Sequence, residues 1–211
     1  MIIKNYIPQE LRDLPNWINF GLGERKDDTL PTRYKKIPLH PNGKLWEGKH
    51  DSSTYTFEEV TKIYDEYNVE PAVGAGIAFV LKHDTPYIVL DLDETDMLPP
   101  LERLGHTLLI RSLKSYTYQS YSGYGYHVII KVKEPIISTY TEGSLNLSVL
   151  TGGLYKTSKP SWVIMTGQVT ASGFDIREID FKTSILHTLG GIVDDWNLYE
   201  EDYHHTENED D

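Results

Sequence analysis

The apolar positions of this chain fall mostly in short runs bounded by turn residues, with a few stretches at helical spacing between them. Trp17-Ile18-Asn19-Phe20, Ile77-Ala78-Phe79-Val80-Leu81, Tyr87-Ile88-Val89-Leu90, residues 116–120, residues 126–132 and Trp162-Val163-Ile164-Met165 have the length and the β-branched and aromatic content of strands. Residues 77–81 and 87–92, with five residues between them, read as a hairpin. Thr56-Phe57-Glu58-Glu59 is a capping box, and Phe57, Val60, Ile63, Tyr64 and Tyr67 follow it at helical spacing. Residues 98–113 form a second helix, with Pro99 and Pro100 in its first turn. Residues 8–14 give a short helix, residues 21–32 a loop, Pro41-Asn42-Gly43 a turn, and residues 181–189 a last helix. Strands dominate and helices are interspersed, so the expected class is α+β rather than a doubly wound sheet.

Composition narrows the setting. The 211 residues suffice for one large domain, and the absence of cysteine excludes disulfides and thiolate metal sites. The N-terminus turns polar within a few residues, and no apolar run approaches the ~20 residues of a membrane helix. The expectation is a cytoplasmic protein without a membrane partner.

The net charge of −12 argues at first against a nucleic-acid partner, but its distribution changes that. From Asp194 to Asp211 there are nine acids and no Lys or Arg. The other 193 residues carry 23 acids against all 20 Lys and Arg, a balance of −3. A nearly neutral body allows a local basic groove. Residues 1–190 are expected to form the folded domain, and residues 191–211 an acidic, disordered tail or linker.

The candidate chemistry begins at Asp91-Leu92-Asp93, which ends an apolar run. Side chains alternate across a strand, so the two carboxylates share a face, while Ile88, Leu90 and Leu92 take the other. Paired carboxylates repel unless a cation lies between them, which makes this a metal-site geometry. A solvated strand end is the plain alternative.

A second group is Ser120-Tyr121-Ser122-Gly123-Tyr124-Gly125-Tyr126-His127. Its glycines permit close backbone approach to a ligand, and its amides could form an anion nest. By alternation His127, Ile129, Lys131 and Lys133 share one polar face and Val128, Ile130 and Val132 face the core. A hairpin turn and a structural histidine are the plain alternatives. Tyr116 and Tyr118 read as ordinary strand residues, whereas Tyr121 and Tyr124 could stack on bases. The third group, Ile164-Met165-Thr166-Gly167, ends a strand and says little alone.

In this order the three groups resemble the primase–polymerase (PrimPol) domain of the archaeo-eukaryotic primase superfamily, of phage and plasmid type. Leu14-Pro15-Asn16-Trp17, Lys36-Ile37-Pro38, Pro41-Asn42-Gly43-Lys44, Gly76-Ile77-Ala78-Phe79 and Asp175-Ile176-Arg177-Glu178 are similar to that family as well. The resemblance covers roughly residues 8–182. It implies an α+β fold: an archaeo-eukaryotic primase-like core with mixed or antiparallel sheets, including an RRM-like module, flanked by helices.

It also implies a template-dependent DNA primase/polymerase in the replication of a phage or other mobile element. Its substrates would be a DNA template or primer and nucleoside triphosphates, and its cofactor Mg²⁺ or Mn²⁺ in a two-metal mechanism. Asp91 and Asp93 would be the metal ligands and, with His127, the catalytic residues. Ser122, Gly123, Gly125, His127, Lys36 and Thr166 would bind the nucleotide. Such proteins often continue into a helicase. This chain contains no G-x-x-x-x-G-K-[ST] motif, so a helicase would act in cis beyond this segment or in trans.

One departure stands out. The family usually places a third carboxylate on the strand before the Thr-Gly strand, and the matching stretch Asn146-Leu147-Ser148-Val149-Leu150 has Ser148 there. Glu142 or Asp175 could substitute in another register. A PrimPol-like module that binds nucleotide or single-stranded DNA without polymerising, or a metal-dependent nuclease, are therefore the alternatives.

Overall fold

The computed structural model describes residues 2–24, 34–48, 53–67, 76–82, 85–132, 147–151, 161–170 and 175–180. The expected helix at 181–189, the tail at 191–211, and Glu142 lie outside them.

Among the described residues, nine strands form two sheets. β1 (Trp17–Glu24), β2 (Tyr34–Leu39), β3 (Gly76–Leu81) and β8 (Ser161–Ile164) make an antiparallel sheet in the order β2-β1-β3-β8. β4 (Tyr87–Leu92), β5 (Thr117–Gln119), β6 (Tyr126–Val132) and β7 (Leu147–Thr151) make the second, in the order β5-β6-β4-β7. β9 (Arg177–Ile179) adds to β6 in parallel, beyond the end of β5. With three described helices, α1 (Gln9–Arg12), α2 (Phe57–Tyr67) and α3 (Pro100–Leu113), this is the α+β class expected.

The capping box opens α2 as anticipated. The Thr56 amide donates to Glu59 Oε2 (2.8 Å), and the Glu59 amide donates to Thr56 Oγ1 (3.3 Å). Val60 and Tyr64 then bury one face of the helix.

Two expectations fail. Residues 77–81 and 87–92 are not a hairpin: β3 lies in the first sheet and β4 in the second. Both runs are buried along nearly their whole length, so each needs cover on two faces, and pairing them with one another would not supply it. The loop expected from Gly21 begins later, because β1 runs on to Glu24 against β2.

The core explains why the polar face assigned to β6 is largely apolar. Tyr87, Val89, Tyr116, Tyr118 and Ile129 of the second sheet pack with Trp17, Ile77, Phe79, Leu81 and Val163 of the first. The opposite face of the second sheet carries Ile88, Leu90, Leu92, Val128, Ile130 and Val132 against Leu109 and Leu113 of α3. β4 and β6 are thus covered on both sides, and Ile129 and His127, on one face of β6, are both buried rather than exposed. The acidic residues lie where β4 leaves this double cover.

The Thr166-Gly167 pair is the corner between the sheets. The Met165 amide donates to the Ile77 carbonyl in the first sheet (3.1 Å), and the Gln119 amide in the second sheet donates to the Gln168 carbonyl (2.9 Å). Gly167 has φ +65°, and a Cβ there would lie 2.2 Å from the Ile3 carbonyl oxygen, so the corner needs glycine on both counts.

Candidate active site

Asp91 is the fifth residue of β4, and the ladders on either side fix its neighbours. His127 on β6 and Ser148 on β7 are both its Cα partners. His127 is in turn paired with Tyr118 on β5. Cross-strand partners share a face, so residues 148, 91, 127 and 118 form one row across four strands.

Within that row, His127 Nε2 lies 3.2 Å from Asp91 Oδ1. The contact is at ion-pair distance but off the hydrogen-bond axis, because Asp91 Oδ1 is buried and has no hydrogen bond. His127 Nδ1 is 3.0 Å from the Tyr118 hydroxyl, which also lies 3.1 Å from Met165 Sδ. His127 is buried, and Tyr118 is fully buried.

Asp93 follows β4 and is exposed. Its carboxyl is nevertheless pushed up from the usual aspartate range, first by the protein crowding it and then by repulsion from Asp91. His127 and Lys36 oppose the shift, so Lys36, on the outer strand of the first sheet, lies close enough for its charge to reach this carboxylate. Burial and the Asp91 charge push the Tyr118 phenol well up, so it keeps its proton.

The turn after Asp93 is held from two directions. Thr95 Oγ1 donates to the Leu92 carbonyl (3.1 Å) and is 2.8 Å from Nδ1 of buried His106 on α3. The loop before His127 closes on the same place. A Cβ at Gly125 would lie 2.5 Å from the Leu92 carbonyl oxygen and 3.2 Å from the Glu94 amide, so glycine lets the loop sit directly on the acidic strand end.

The other candidates are placed as follows. The Gly123 amide donates to the Ser120 carbonyl (3.0 Å) and the Gly125 amide to Ser120 Oγ (3.2 Å), so these two amides turn into the loop rather than outward as a nest. Ser122 is exposed, its hydroxyl 2.9 Å from Ser120 Oγ. Thr166 is buried, and its hydroxyl donates to the Gln119 carbonyl (2.6 Å), a contact that ties the two sheets. Tyr116 and Tyr118 are core residues, as their strand reading implied. Tyr121 packs edge-on against Phe20 (5.2 Å) rather than presenting a free face, while Tyr124 is 54% exposed. Asp175 is exposed, two residues before β9.

The donor set suits a hard divalent cation. Carboxylate oxygens match Mg²⁺ or Mn²⁺, and an orphaned Asp91 Oδ1 beside a second, repelling carboxylate is an acceptor pair that a cation would satisfy. Among the described residues no three His, Asp or Glu side chains form a ready-made cage. Mg²⁺ commonly takes one or two carboxylates and completes its shell with water and substrate phosphates.

Sequence reading took Tyr118 as an ordinary strand residue and missed its contact with His127. A signal was present: a hairpin centred on residues 120–125 pairs residue 118 with residue 127.

No protein-family model matches the chain. A curated protein does: DNA Primase-polymerase of Nitratiruptor phage NrS-1 is 31% identical over 177 residues, which is 82% of this chain. The chain carries a PrimPol-like domain. The matched part amounts to 22% of the phage protein, so this PrimPol-like chain spans about a fifth of that relative. Among the described residues, no helix of the PrimPol-like domain is long and apolar enough to cross a membrane.

Proposed function

We propose that this PrimPol-like domain is a metal-dependent nucleotidyltransferase that starts or extends a DNA strand on a template, in the replication of a phage or other mobile element. The observation that carries the reading is the row that sets His127 Nε2 3.2 Å from Asp91 Oδ1, which is buried and without a hydrogen bond, beside an Asp93 carboxyl that Asp91 repels. Its support from comparison is the similarity to a phage DNA primase-polymerase.

Asp91 and Asp93 would hold Mg²⁺ or Mn²⁺. In a two-metal arrangement such ions supply a more acidic 3′-hydroxyl and neutralise charge on the triphosphate. His127 directs Nε2 toward the same space and would donate to a triphosphate oxygen, with Lys36 adding positive charge from the facing sheet. Ser122, at the exposed lip of the loop, would donate a hydroxyl. Exposed Tyr124 offers a face for an unpaired base.

The test is an extension assay on primed and unprimed templates, with Mg²⁺ or Mn²⁺ and both nucleotide types. Incorporation should vanish in Asp91→Ala and Asp93→Ala and on chelation. A wild-type chain that incorporates nothing under any of these conditions would sink the reading, and cleavage of a labelled strand would point to a nuclease instead.

One observation favours a second reading, a module that binds nucleotide or single-stranded DNA without polymerising. The strand register makes Ser148 the β7 partner of Asp91, the position where the resemblance leads one to expect an acid. Serine carries no charge to anchor a second cation.

A further inference from the structure

Tyr118 lies one strand beyond His127 in the row that contains Asp91. It is fully buried, its ring edge-on to the imidazole (centroids 5.1 Å apart, planes at 84°) and tilted against Tyr116 (5.3 Å). Its orientation is therefore fixed by packing. The hydroxyl has one proton and two neighbours, His127 Nδ1 at 3.0 Å and Met165 Sδ at 3.1 Å. An unprotonated imidazole nitrogen is a far better acceptor than a thioether sulfur.

The other side of the ring leads to the same arrangement. Nε2 faces a carboxylate oxygen at 3.2 Å, and a lone pair there would be repelled, so Nε2 carries the hydrogen. Nδ1 is then the free acceptor that the Tyr118 hydroxyl meets. Because the Nε2–H is off the axis to Asp91 Oδ1, it remains available to another acceptor in front of the acidic pair.

We propose that Tyr118 is the positioning residue of His127: its hydroxyl donates to Nδ1, holds the ring, and aims Nε2–H at the space before Asp91, where an anionic triphosphate oxygen is received. The identity of that anion rests on the nucleotidyltransferase reading above. The latch itself rests on the three contacts around the imidazole. Tyr118 touches no substrate, so its effect passes through His127 alone.

The test uses the full chain, labelled with ¹⁵N-histidine and free of metal, with the His127 resonances assigned by their loss in His127→Gln. The wild type should show a protonated Nε2 and an unprotonated, hydrogen-bonded Nδ1. In Tyr118→Phe the Nδ1 resonance should move to that of an unbonded nitrogen. KM for the nucleoside triphosphate should rise about three- to tenfold, the worth of one hydrogen bond, with a much smaller change in kcat. Met165→Leu should leave the Nδ1 resonance unchanged, because the bond to nitrogen does not need the sulfur.

A proton on Nδ1 in the wild type would overturn the proposal, and that measurement needs no variant to fold. An unmoved Nδ1 resonance in Tyr118→Phe, or a moved one in Met165→Leu, would overturn it too. These resonances require no turnover. A chain with the predicted resonances but no nucleotide incorporation would refute the nucleotidyltransferase reading and leave the latch standing.

Discussion

Lys36 and Asp93 belong to different sheets, yet the ammonium of one lowers the proton affinity of the other. The acidic strand end therefore feels a cation carried by an edge strand that shares no ladder with β4. Replacing Lys36 by Met removes the cation and lets the Asp93 carboxyl rise further. The acid limb of the pH–rate profile should move to higher pH, since a protonated Asp93 cannot hold a metal. KM for the triphosphate should rise roughly two- to fivefold, as suits an exposed charge, and the difference should shrink in high salt. An unchanged acid limb would remove Lys36 from the site.

Asp93 also gives a stability prediction with a definite sign. Its proton affinity is higher in the folded chain than in the unfolded one. Above its folded-state pKa the ionised carboxylate disfavours the fold. As pH falls through that value toward the unfolded one, the folded state takes the proton first and the cost disappears. Without metal, Asp93→Asn should therefore melt above the wild type at pH 7, and the gap should close on acidification. Mg²⁺ at pH 7 should raise the melting temperature of the wild type more than that of the variant. A metal-free Asp93→Asn chain that melts below the wild type at pH 7 would contradict this.

Ser148→Asp adds a carboxylate-bearing residue at the β7 position whose Cα pairs with Asp91. Mn²⁺ affinity, followed by calorimetry, should rise by about tenfold or more, since cation affinity follows the charge of the ligand set. If strand extension rises with it, the native chain is limited by its metal anchor. Tighter Mn²⁺ binding with no extension would favour the binding-module reading.

Gly125→Ala drives a Cβ into the Leu92 carbonyl. Relief requires the loop to lift from the strand end, at a cost of about 1–3 kcal/mol in chemical denaturation. Lifting also displaces Ser122 and disturbs the start of β6 at His127, so nucleotide binding should fall more than stability alone explains. A variant with wild-type stability would show that the loop does not rest on β4.

Much of the fold was legible because local signals and packing agree. The capping box at Thr56, the run 126–132 and the β5–β6 hairpin all appear as the pattern implies. The failures at 77–92 and at Ile129 share one cause. The runs 77–81 and 87–92 are apolar on both faces, and such strands carry no alternation to say which sheet they join. The same double cover puts Ile129 in the core when its neighbour His127 suggested a polar face. Asp91, Asp93 and His127 were readable as types in sequence. Lys36's approach was not, because nothing local encodes which sheet β2 faces.

The Ile3 amide donates to the Thr166 carbonyl at 2.8 Å, and the Ile3 carbonyl crowds Gly167. From there the chain leads back to Met165, whose Sδ lies 3.1 Å from the Tyr118 hydroxyl that meets His127. A few residues at the very start of the chain thus help brace a histidine more than a hundred positions later. For anyone building expression forms, trimming residues 1–6 is not a neutral edit: it would unpin the corner on which the imidazole ultimately leans.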